Sequence, residues 1–113
     1  MNRLLLASFI AFSINANAND GKYDDCIVVG EMATEFMTMM QDGLTLSQSL
    51  KKIKGAYTSD SGDDEGEKFA FDMMTRMYQQ NSRVIGKKYQ KESIVNYEKQ
   101  MVRQCINSID SRR

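Results

Sequence analysis

The chain has 113 residues, with 15 basic and 15 acidic side chains, two cysteines, no histidine and no proline. That balance leaves no global field to draw in nucleic acid or anionic lipid. The lack of histidine removes the usual neutral-pH general base and the commonest zinc ligand, and no P-loop, G-x-G-x-x-G or G-x-S-x-G segment occurs. The composition therefore argues against an enzyme and calls for no cofactor.

The first element is a leader. Arg3 precedes an apolar run from Leu4 to Ile14, about the length of a signal-peptide core and well short of the roughly 20 residues a membrane span needs. Ala16-Asn17-Ala18 supplies the small residues that signal peptidase reads, which predicts a signal peptide over 1–18 and cleavage before Asn19. Residues 19–113 then form a single domain. The leader's only charge is Arg3, so the mature portion holds 14 basic and 15 acidic residues, a net charge of −1. It contains no second apolar run long enough to span a membrane. The expected location is periplasmic or secreted.

Cys26 and Cys105 are the only thiols. In an exported protein they read as one disulfide, and no C-x-x-C redox motif is present. Closing a loop of about 80 residues removes about 4–5 kcal/mol of unfolded-chain entropy in the simplest treatment.

Apolar residues recur at helical spacing along the rest of the chain, which predicts an all-α bundle of about four helices with the terminal two joined by the disulfide. The first helix is expected over about Asp25 to Gln41, with Asp24 as N-cap and Gly43 as a left-handed C-cap. Cys26, Val29, Ala33, Phe36 and Met40 share one face of it, flanked by Met32 and Met37. Thr45-Leu46-Ser47-Gln48 fits the capping box and opens a short second helix that buries Leu46, Leu50 and Ile53. Lys51, Lys52 and Lys54 suit the negative end of its dipole, and Gly55 ends it. Tyr57 is expected to pack behind it.

Residues 59–66 form an acidic loop. A third helix follows from about Glu67 into the Ile85–Gln90 region, with Ala70, Met73, Met74, Met77, Tyr78, Val84 and Ile85 as its apolar stripe. Gly86 either ends it or weakens it. The last helix is expected from about Ser93, carrying Ile94, Tyr97, Met101, Cys105 and Ile109, with Val102 and Ile106 beside them.

Three sets of side chains are candidates for function. Carboxylates in the acidic loop (Asp60, Asp63, Asp64, Glu65 and Glu67) lack the fixed separation that glycan hydrolysis needs. Aligning Ser61, Asp63, Glu65 and Asp72 with calcium-loop positions one, three, five and twelve gives neither the first Asp nor the last Glu. Glu31 and Glu35, at i and i+4 on the first helix, read as solvated surface. The methionines are more unusual, nine in the chain and eight after cleavage. Met37 and Met40 on one helix, with Met73 and Met77 on another, read first as flexible core filler. Thioethers also select Cu(I), which gives a methionine-rich ligand or Cu(I) carrier as the alternative. Finally, Arg83, Lys87, Lys88 and Lys91 cluster around Tyr89 between the third and fourth helices, a surface suited to an acidic protein partner.

Met40-Gln41-Asp42-Gly43 after the first cysteine, a late Lys88-Tyr89, and a C-terminal helix bearing the second cysteine resemble small exported helical proteins of Gram-negative bacteria and their phages. That group usually has Arg-Gln-x-Gly at the first motif and often a proline after the tyrosine, and this chain has neither. The resemblance implies a helical fold and a periplasmic address, and it implies no activity. Small size, export and the missing catalytic residues together predict a protein-binding module, an immunity or inhibitor protein. A structural accessory of an envelope complex is the third reading.

Overall fold

The computed structural model describes residues 21–58 and 64–111. The leader, its cleavage site and residues 59–63 of the acidic loop lie outside them. Four helices are present among the described residues: α1 (Asp24–Gln41), α2 (Leu46–Ile53), α3 (Glu65–Gln80) and α4 (Lys87–Asp110). None is long and apolar enough to cross a membrane.

Helix α1 starts one residue earlier than its spacing suggested. Asp24 lies inside the first turn with Asp25, and Tyr23 occupies the cap without a side-chain hydrogen bond. Both carboxylates still favour that end of the helix through its dipole. At the other end the chain reverses at Gly43, whose φ is +97°. The Gly43 N–H donates to the Met40 carbonyl and the Leu44 N–H to the Met39 carbonyl, the paired bonds of a Schellman motif. Helix α2 opens on the expected capping box. The Gln48 N–H donates to Thr45 Oγ1 at 3.1 Å, and the Thr45 N–H donates to Gln48 Oε1 at 2.8 Å.

The third and fourth helices differ from expectation. Helix α3 stops at Gln80, Asn81 is extended, and α4 already begins at Lys87 after Gly86 at φ +95°. Val84 and Ile85 therefore leave the predicted stripe. Val84 is half-buried in the connection and Ile85 is 92 % exposed. The connection is held by side-chain bonds that stand in for helical ones. The Val84 N–H donates to Gln41 Oε1 at 2.9 Å, and Gln90 Nε2 donates to the Val84 carbonyl at 2.8 Å. Periodicity alone carries no sign of such long-range satisfaction.

Helices α1 and α4 run antiparallel and form the most extensive contact in the molecule. Cys26 and Cys105 join them, with Cα atoms 5.5 Å apart. The approach is close because Gly30 has no side chain, and a Cβ there would sit 2.7 Å from Val102 Cγ2. Helices α2 and α3 pack on each other and on α1. Phe36, Met32, Ile53, Met74 and Met77 fill the centre. Phe36 meets Tyr57 edge to face, with ring centroids 6.2 Å apart, which places Tyr57 in the core against α1.

Candidate functional site

The end of α1 and the start of α4 meet at one corner, organised by Gln41. This glutamine sits on the apolar side of α1, one turn beyond Met37, and is buried. Its Nε2 donates to the Ser82 carbonyl at 3.3 Å and contacts Met37 Sδ at 3.8 Å, while its Oε1 receives the Val84 N–H. A buried amide with every polar atom engaged fixes the path of residues 82–84. The α4 N-terminus is thereby set beside the α1 C-terminus.

The five residues expected to bind a partner divide at this corner. Arg83 is exposed but tied to the end of α1, its Nε donating to the Gln41 carbonyl at 2.8 Å and its guanidinium lying against Gly43. Positive charge there offsets the negative end of the α1 dipole. Tyr89 is 59 % exposed, with its ring against Gly86. Lys87, Lys88 and Lys91 line a shallow groove of about 690 Å³ together with Asp42, Glu92 and half-buried Ile94. The first turn of α4 holds no acidic residue, and none of these three lysines forms an ion pair among the described residues. Cations at the positive end of a helix dipole raise the energy of that end. An approaching carboxylate would lower it.

The other candidates are placed elsewhere. Met37, Met40, Met73 and Met77 are all buried in the one core, as are Met32, Met39 and Met74. Thioethers in this position fill space between helices. No group of three or more His, Cys, Asp or Glu residues able to hold a metal occurs among the described residues. Of the residues in the calcium alignment, Ser61 and Asp63 lie outside the described residues. Glu65 and Asp72 belong to one continuous helix, where Asp72 pairs with Arg76 at 3.1 Å. A helix cannot wrap around an ion as a calcium loop does. Asp60 is likewise outside, and Glu67 Oε2 accepts the Gly55 N–H at 2.9 Å, which ties α3 to the end of α2.

Glu35 corrects a surface reading. It is half-buried beside Tyr57, whose hydroxyl donates to Glu35 Oε1 at 3.4 Å, and only Glu31 is exposed. Burial pushes the Glu35 carboxyl above its ordinary pKa, partly offset by the Tyr57 hydrogen bond. Burial and then the nearby Glu35 charge raise the Tyr57 phenol as well, and burial alone carries Tyr97 up to about 12. Gln41 stood out in the sequence only as part of the Met40-Gln41-Asp42-Gly43 motif, with no role, and Ser49 did not stand out. The signal available for each was a polar residue on an apolar helical face, where burial demands a partner. Ser49 finds its partner in the Tyr78 hydroxyl at 2.8 Å.

These features define a small disulfide-clamped four-helix protein with a lysine-lined corner. Compared with known proteins, the chain matches no family model, no curated sequence and no solved structure.

Proposed function

We infer that this chain is an exported protein-binding module of the periplasm, an immunity or inhibitor protein whose partner presents an acidic segment to the corner between α1 and α4. The observation that carries this reading is the groove of Lys87, Lys88 and Lys91, charged, without internal ion pairs and floored by half-buried Ile94. Its backbone is pinned by Gln41, so a partner meets a formed surface and little loop-ordering cost arises on binding. The disulfide supports an oxidising compartment. Burial of the methionines supports packing as their role, ahead of a Cu(I) carrier.

The test is a pull-down from periplasmic extract with tagged protein beside a Lys87→Glu/Lys91→Glu variant. A stoichiometric partner retained by the wild type, released by salt and lost by the variant is the expected result. Equal capture by both proteins would move the binding surface elsewhere. Copper in the purified wild type with no partner would favour the carrier.

A further inference from the structure

Helix α4 carries two apolar stripes; the core takes one, and the other touches the fold at Val102, whose methyl lies against Gly30 of α1. Ile94, Tyr97, Met101 and Cys105 face the core. A second stripe of Val95, Lys99, Val102 and Ile106, at spacings of four, three and four, lies to one side, and Ile109 continues it three residues on. Val95 is 45 % exposed, and Val102, Ile106 and Ile109 are half-exposed. Glu98, Lys99, Val102, Arg103 and Ile106 line a shallow groove of about 520 Å³ to which no other helix contributes. Ile27, 55 % exposed, lies one turn before Gly30 on the side of α1 that meets Val102.

We propose that a second copy of this chain covers this stripe, with α4 packed against α4 in parallel as a two-stranded coiled coil. The 4-3-4-3 spacing is the heptad seam that such pairs use. The charges choose both the partner and the direction. Glu98 and Arg103 flank the seam on opposite sides, five residues apart, the offset at which a flanking charge on one parallel helix meets its counterpart on the other. Glu98 of each copy thus meets Arg103 of the other, twice over by symmetry. An antiparallel pair would bring like flank against like flank and lose both matches. Lys99 is the one polar residue in the seam, and a lone seam lysine fixes register at a cost in affinity.

Two heptads are too few to hold isolated peptides together. Here the 24-residue helix is already formed by the fold, and no helix-ordering cost falls on association. The contact is at the small end of stable interfaces, and the dimer forms reversibly with concentration. Parallel pairing also sets both lysine corners at the same end of the dimer, which offers them jointly to a partner.

The test is sedimentation equilibrium of the oxidised protein, its Glu98→Arg and Arg103→Glu variants, and an equimolar mixture of the two variants. Arg103 is exposed and Glu98 is half-buried beside Gly30, and circular dichroism checks that each variant remains helical. The expected result is a wild type that moves to twice the monomer mass as concentration rises, with each variant alone staying monomeric. The mixture regains the dimer, because each reversed charge then meets its opposite. A wild type monomeric at every concentration overturns the proposal. So do folded variants that dimerise as well as the wild type, or a mixture that stays monomeric.

Discussion

The terminal pair α1/α4 and the inner pair α2/α3 are held together by different means. The first joins two long helices through a covalent bond, a glycine-mediated close approach and an apolar seam. At its open end Tyr23 Oη donates to Asp110 Oδ1 at 2.8 Å, and Lys22 pairs with the same carboxylate at 3.3 Å. The second joins a short helix to a longer one through polar detail. Tyr78 Oη donates to the Leu44 carbonyl at 2.7 Å and shares a hydrogen bond with Ser49, Glu67 takes the Gly55 N–H, and Thr45 caps α2. An eight-residue helix is too short to persist unaided, so α2 depends on its cap and on Leu46, Leu50 and Ile53 packing inward. The terminal pair thus adds to noncovalent contacts a covalent bond between residues 79 apart, which lowers the entropy of the unfolded chain, whereas the inner pair rests on packing and hydrogen bonds.

The largest effect expected from breaking this arrangement comes from the disulfide. Replacing Cys26 and Cys105 together with alanine should cost about 4 kcal/mol, read as a lower urea midpoint, with a similar loss on adding reductant to the wild type. A change confined to a few tenths of a kcal/mol would show that noncovalent packing already fixes the terminal pair.

Next is Tyr78→Phe, which strips partners from buried Ser49 and the Leu44 carbonyl and should cost about 2 kcal/mol. Amide exchange in α2 should accelerate more than in α4, which separates the two regions directly.

Gly30→Ala is smaller because two effects oppose. Helix propensity gains nearly 1 kcal/mol, while the Cβ collides with a stiff valine methyl, for a net loss of about 1 kcal/mol. In a Val102→Ala background the same change should turn stabilising, and thermal unfolding of the four proteins measures the coupling.

The smallest is Glu35→Gln. A carboxyl whose pKa is raised by folding is held more tightly as the acid in the native state, so its ionisation opposes folding. The penalty is absent below the ordinary glutamate range and complete once pH exceeds the raised value. Glutamine keeps an acceptor for Tyr57 and removes the charge. The variant should be more stable than wild type at neutral pH and converge with it in acid, as denaturation at the two pH values would show.

Much of the helical pattern was legible along the chain. The stripe Val29, Ala33, Phe36 and Met40, the Thr45–Gln48 box, the Gly43 and Gly55 stops and the single possible disulfide are local or combinatorial signals, and each is found in place. The break between α3 and α4 was less so. Met77, Val84 and Ile85 keep helical spacing, and the bonds that make an extended connection favourable there come from Gln41, more than forty residues earlier, and from Gln90 in α4. The candidate site followed the same division. Lysines 87, 88 and 91 were visible as a charge cluster, but the duty of Arg83 as a partner for the Gln41 carbonyl depends on a contact between distant elements.

What the sequence by itself determined is therefore what rests on neighbours: helical periodicity, caps, stops, the charge balance and which two sulfurs can join. Only the tertiary structure decided where α3 ends, that Glu35 is half-buried, that Gln41 and Ser49 face inward with partners, and that one stripe of α4 is left partly exposed. Those outcomes depend on which surfaces meet. The free energy of burying a polar or apolar group is set by the group opposite it, and linear order does not name that group.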